Sequence, residues 1–204
     1  MFFLHVLVES CSFVNTLFKN KYRIKSTRLK HYDYSSNGAY FVTICTKNRE
    51  CCLGDVIDGE MKLSVVGKIV SEEWIKTEQI RKYVQLDEWV IMPNHFHGIV
   101  IINNDNVMCN VETPRRGVST TSNQNPCHKL EWKSHSLGSI ICQFKSITTK
   151  RIRSIGDFNF TWQHRYYEHI IRNENKLNVI REYIQNNPLR WKLDNENPEI
   201  VGYN

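Results

Sequence analysis

Two β-rich runs flank a Pro-Asn dipeptide, residues 84–92 (VQLDEWVIM) and 95–102 (HFHGIVII), and they restrict this chain more than any other feature. Both are dense in β-branched and aromatic residues, and Pro93-Asn94 is a tight-turn signal, so they predict two neighbouring antiparallel strands. A further strand is expected over 39–47 (AYFVTICTK), after the turn-rich SSNG. Helical periodicity marks residues 62–80, where Val65, Ile69, Glu72, Glu73 and Lys76 follow an amphipathic pattern. It returns from Leu137 through LGSIICQFKSITTKRIRS, with Ile140, Ile141, Phe144, Ile147 and Ile152 on one side. A strand-like or irregular piece comes next (FNFTWQHRYYEHII). A last helix runs from about Glu174 to Asn187, with Leu177, Ile180 and Ile184 three and four apart. Pro188 ends or kinks it.

The order strand, helix, strand, strand, helix, strand, helix predicts an α+β fold. Its first six elements match the ferredoxin-like split βαβ arrangement: an antiparallel sheet with helices on one face, here with an added C-terminal helix. At 204 residues the chain fits one domain, expected over 19–193. A polar insertion interrupts it at 103–136, an extension precedes it at 1–18, and a tail closes the chain at 194–204. The seven cysteines are odd in number, and Cys51 and Cys52 are adjacent. Cys45 and Cys142 lie in apolar stretches. This usage suits a reducing cytoplasm rather than a disulfide framework. The apolar start, MFFLHVLVES, lacks a basic n-region and is too short to span a bilayer, so no membrane association is expected.

Charge is segregated. Six basic residues and no acid lie between Glu9 and Asp33, and five basic residues and no acid between Glu131 and Asp157. Setting those eleven aside leaves 16 basic against 21 acidic residues, so the net charge of +6 comes from two patches suited to a polyanion.

His95-Phe96-His97 is the sharpest chemical feature. On a strand, residues i and i+2 share a face, so the two imidazoles stand side by side and can share one metal ion. Further ligands must come from elsewhere or from water. Tyr183 and Asn187 are four apart, on one helix face beside the Leu177–Ile180–Ile184 stripe, and can face the sheet. Gln185 points about 200° around the helix from Tyr183. Taken singly, an H-x-H pair or a tyrosine at the rim of a core is as readily structural.

Together, residues 89–102 (WVIMPNHFHGIVII), 162–172 (WQHRYYEHIIR) and 182–188 (EYIQNNP) resemble the REP-associated tyrosine transposases, single-tyrosine members of the HUH nuclease superfamily. The approach to the first strand, HYDYSSNGAYFVTICTKNR, is similar to that family as well. The resemblance spans roughly Arg28 to Leu193, broken by the polar insertion. It implies that His95 and His97 bind a divalent metal, Mg²⁺ or Mn²⁺, that Asn187 completes the site, and that Tyr183 on the terminal helix is the nucleophile. It also implies cleavage of single-stranded DNA beside a hairpin, through a covalent link to the 5′-phosphate that releases a 3′-hydroxyl. In related transposases the tyrosine helix can serve a partner's metal site, so a homodimer is compatible.

For DNA contacts the sequence offers Arg23, Lys25 and Arg28 before the first strand, and Lys145, Lys150, Arg151 and Arg153 on the basic helix. Trp162 and Arg165 could stack on unpaired bases, although core packing competes for the aromatic residue. Two other readings belong beside the nuclease. One is a hairpin-binding regulator without catalysis. The other is a zinc site from Cys109, Cys127, His128 and His135, which lack the close pairing of zinc knuckles. A replication-initiator nuclease would share the HUH chemistry on a longer chain.

Overall fold

A computed structural model describes residues 28–106, 134–194 and 196–198 of the chain. Six strands and three α-helices are formed there. They are β1 (Gly38–Cys45), β2 (Gly54–Ile57), β3 (Glu60–Leu63), α1 (Val65–Ile80), β4 (Val84–Ile91), β5 (His95–Ile102), α2 (Leu137–Ser154), β6 (Tyr167–Ile171) and α3 (Glu174–Gln185). A 3-10 segment, Pro188–Leu193, comes after α3. Four strands form one antiparallel sheet in the order β4-β5-β1-β6. No helix of the described residues is long and apolar enough to cross a membrane.

Alternation along the strands gives the sheet two apolar faces. Tyr40, Val42, Ile44, Phe96, Val100 and Ile102 turn toward α1 and α2, where Trp74, Ile140, Ile141 and Phe144 complete the larger core. Phe41 and Ile99 turn the other way, against Leu177, Ile180 and Ile184 of α3. The C-terminal helix thus covers the face opposite α1 and α2. A bidentate ion pair pins it there: Arg181 donates to both carboxylate oxygens of Asp87, at 2.9 and 2.6 Å. Asp87 sits at the irregularity where the β4–β5 register shifts between Leu86 and Trp89.

The sequence reading places the first helix at 62–80, but Lys62 and Leu63 belong to β3. The β2–β3 hairpin turns at Asp58-Gly59, both with positive φ (53° and 78°), the backbone that a two-residue hairpin loop demands. Ser64 then caps α1, its hydroxyl accepting from Gly67 N at 3.0 Å. Gly67 is where α1 crosses the chain at Leu53. A Cβ there would lie 2.1 Å from the Leu53 carbonyl oxygen, which cannot yield without moving backbone. Gly67→Ala is therefore expected to destabilise the fold by roughly 1–3 kcal/mol through overpacking. Urea unfolding checks this; a variant as stable as the parent contradicts the tight crossing.

Candidate metal and nucleophile site

The Pro93-Asn94 turn closes with Met92 N donating to His95 O at 2.8 Å, and β5 starts at that point. Strand alternation then sends Phe96 into the larger core, its ring 4.5 Å from Trp74. His95 and His97 emerge on the α3 face, both buried, with ring centroids 4.5 Å apart. From the facing helix Tyr183 places its hydroxyl 3.2 Å from His97 Nε2. Its ring meets His97 and Phe41 edge-on, at 5.3 and 6.1 Å. Asn187 is buried just past the end of α3, at the N-cap of the 3-10 segment. Gln185 is exposed.

The remaining ring nitrogens are held from behind. Asn94 donates its Nδ2 to the carbonyls of Arg49 and Glu196, at 3.2 and 2.6 Å. That fixes the amide orientation, so its Oδ1, 2.8 Å from His95 Nδ1, accepts a hydrogen bond from the ring N–H. His95 Nε2 is then left as a bare lone pair. Thr43, directly across from His97 in the β1–β5 register, holds His97 Nδ1 at 2.8 Å. The Pro188–Leu193 segment and Glu196 beyond it close the site from below. The Trp191 ring lies 6.0 Å from His95, and Arg49 pairs with the buried Glu196 at 3.0 Å. Glu196, assigned to a tail from sequence, therefore forms part of one wall of the site.

Two buried acceptors, His95 Nε2 and, past the end of α3, Asn187 Oδ1, have no hydrogen-bond partner. An orphaned buried polar atom costs about 1–3 kcal/mol, so each of the two is a candidate ligand position. Two neutral imidazole nitrogens and an amide oxygen are a fitting donor set for a divalent ion, and imidazole suits Mn²⁺ and later transition metals better than Mg²⁺. No cluster of three or more His, Cys, Asp or Glu side chains suited to a metal forms among the described residues. Of the residues considered for zinc, His135 packs against Tyr83 at 4.5 Å, while Cys109, Cys127 and His128 lie outside the described residues.

Burial holds both imidazoles in their neutral, ligand-ready form. It pushes His95 down to about 3, helped by the Arg49 charge, and pushes His97 well below the usual range, helped by His95 and opposed by Asp194. The unfolded chain thus takes up these protons more readily than the folded one. In the presence of a chelator, stability should be complete above pH ~6.5 and should fall as pH drops toward 3, by ~1.4 kcal/mol per pH unit for His95 alone. Urea unfolding at several pH values tests this: His95→Gln should give a shallower fall, and parallel slopes would contradict it.

The basic residues singled out for DNA contact divide into three groups. Arg23 and Lys25 lie outside the described residues. Arg28, Lys145, Arg151 and Arg153 are engaged within the protein. Arg28 pairs with the buried Glu168 at 3.2 Å and donates to Tyr166 Oη at 2.6 Å. Lys145 donates to the carbonyls of Gln163, His164 and Arg165, and burial pushes its ammonium down to about 8. Arg151 bonds Glu72 and Glu73 on α1, and Arg153 Nε donates to Phe160 O at 3.1 Å. Trp162 is a core residue, buried against Phe144 and Phe160 with its Nε1 donating to Thr148 Oγ1, so its ring has no open face for a base. Lys150 and Arg165 are exposed on the rim of a cleft.

Asn94, Thr43 and Trp191 escaped the sequence reading. A threonine inside the apolar run AYFVTIC and an asparagine abutting the histidine pair were the available signals.

No protein-family model matches the chain. An uncharacterized protein of Haemophilus influenzae (strain ATCC 51907 / DSM 11121 / KW20 / Rd) is 41% identical over 171 residues, spanning 83% of this chain and 91% of that protein. Among solved structures, the REP-associated tyrosine transposase bound to a REP hairpin is similar with a TM-score of 0.52 and 20% identity, covering 82% of this chain and 74% of that one. The chain therefore belongs to one family with the Haemophilus influenzae protein, and over most of its length it has the fold of the REP-associated tyrosine transposase.

Proposed function

We propose that this protein is a metal-dependent single-stranded DNA endonuclease and strand transferase, a transposase that cuts beside DNA hairpins through a covalent 5′-phosphotyrosine. The observation that carries the reading is the placement of the Tyr183 hydroxyl 3.2 Å from His97 Nε2, whose ring lies 4.5 Å from that of His95 with its partnerless Nε2. The likeness in fold to a transposase supports it, as does the strand order. With α1 between β1 and β4 and α2 between β5 and β6, the four-stranded antiparallel sheet is compatible with the split βαβ arrangement expected from sequence.

His95, His97 and Asn187 would hold the ion, and Asn94 and Thr43 would fix which nitrogen each ring presents. When bound, a divalent ion neutralises charge on the scissile phosphate and stabilises the pentacovalent transition state. The protein's own contribution is geometric. α3 holds the phenol beside the histidines, and Phe41 limits where its ring can sit. Tyr183 Oη bonds to phosphorus and loses its proton to water. The bond from phosphorus to the 3′-oxygen breaks, and that oxygen leaves as a 3′-hydroxyl. The phosphotyrosine diester keeps the energy of the broken linkage, so the reverse attack by another 3′-hydroxyl joins strands without ATP.

Incubation with end-labelled single-stranded hairpin oligonucleotides and Mn²⁺ or Mg²⁺ tests the reading. The expected product is a protein–DNA adduct that survives denaturation, with the label retained only when it lies on the 5′-phosphate side. Binding with no adduct under either metal would favour a hairpin-binding regulator instead.

A further inference from the structure

A second recess of about 940 Å³ opens between α2 and residues 161–168, on the sheet face that α1 and α2 cover. Five cationic side chains line it against one carboxylate. That carboxylate, Glu168, is buried and paired to Arg28 at 3.2 Å, with the Arg28 guanidinium also lying over the rings of Tyr34 and Tyr166 at 5.5 and 5.2 Å. One end of the recess is therefore a fixed wall. Lys145 fixes the opposite side, because its ammonium gathers the carbonyls of Gln163, His164 and Arg165. What remains toward solvent is cationic: Lys150 and Arg153 from α2 and Arg165 from the clamped segment.

The recess and the metal site share one end of the sheet. Gln163 N donates to Cys45 O at 2.9 Å, Trp162 bridges Thr46, and Cys45 lies opposite His95 in the β1–β5 register. Two strand spacings, about 10 Å, thus separate the backbones of Gln163 and His95. We propose that this recess binds the phosphates of unpaired DNA nucleotides running on from the strand at the metal site. It is a second contact that needs no metal and is distinct from the cutting centre. The volume lies near the top of the ~300–1,000 Å³ range of pockets that enclose a small ligand, which leaves room for a nucleotide and its flanking phosphates. Lys145 and Arg28 act here as positioning residues, and Lys150 and Arg165 as the phosphate contacts.

The proposal rests on the DNA substrate proposed above, so its test avoids the chemistry. Binding of a fluorescent single-stranded oligodeoxynucleotide of mixed sequence is titrated in EDTA, on a Tyr183→Phe background, over a range of salt. Lys150→Glu/Arg165→Glu should weaken binding at least about tenfold and flatten the plot of log K against log salt by about one to two contacts. The charge-matched pair Lys68→Glu/Lys82→Glu, on exposed positions away from the recess, should change both much less. The neutral pair Lys150→Gln/Arg165→Gln, checked for an unchanged melting temperature, should fall between wild type and the reversed charges. The proposal is overturned if the recess variants bind as the parent does, if the control pair is equally damaging, or if a blunt duplex is lost in the same proportion as the single strand. An absence of adducts in the wild type, with binding still dependent on Lys150 and Arg165, would refute the catalytic reading and leave this one standing.

Discussion

Tyr183→Phe is expected to eliminate the denaturation-resistant adduct, lowering cleavage by at least roughly 10³-fold, while the oligonucleotide still binds. The substitution removes one oxygen and little else. The ring keeps its edge-on contacts to Phe41 and His97, and α3 keeps Leu177, Ile180 and Ile184 in the core. The structural loss includes the hydrogen bond to His97 Nε2, about 0.5–1.5 kcal/mol, too little to unfold a domain of this size. Denaturing gels report the adduct, fluorescence anisotropy reports binding, and thermal unfolding confirms the fold. Undiminished adduct in the variant would mean that another residue attacks the phosphate.

The second large effect is expected from His95→Ala. This removes the imidazole whose Nε2 is held bare by the Asn94 amide, and it also leaves Asn94 Oδ1 without the ring N–H that donates to it. Loss of a buried imidazole from a two-histidine cradle should weaken Mn²⁺ binding by more than the ~10–100-fold typical of losing an outer partner, and adduct formation should vanish with it. Calorimetric titration with Mn²⁺ measures the affinity. The thermal shift supplies an independent readout, because an ion that binds only the native state raises the melting temperature with its concentration. Wild type should respond and His95→Ala should not. An equal response in both would place the metal elsewhere.

Where local rules govern, the sequence was a good guide. β-branched runs and 3.6-residue periodicity located β1, β4, β5 and the three described helices to within a few residues, β6 was read only as a strand-like or irregular piece over 158–171, and the Leu177–Ile180–Ile184 stripe does face the sheet. The alternation rule placed His95 and His97 on one face, and helical spacing turned Tyr183 toward them, whereas Asn187, expected on the same helix, lies past its end at Gln185. The β2–β3 hairpin was missed although Asp58-Gly59 is a strong turn signal. Its strands are four residues each, and Leu63 also satisfies the apolar pattern of the helix next to it. Long-range partnerships left no local trace. Nothing in the spacing of Asn94 and Glu196 shows that they bond across 102 residues. Charge runs misled for the same reason. Arg151 reads as a free cation in its helix but meets Glu72 and Glu73 from another helix, whereas for Trp162 the core-packing alternative holds, with Phe144 and Phe160 around it.

The Asp87–Arg181 clamp has a bearing on stoichiometry. It ties the helix that carries the phenol to an edge strand of the same sheet that carries the imidazoles, so one polypeptide assembles every group assigned to a single cut. With one attacking oxygen, such a unit can retain one severed end at a time. Excising a segment bounded by two ends then calls for two molecules working side by side, or for one molecule that discharges its first end before it returns for the second.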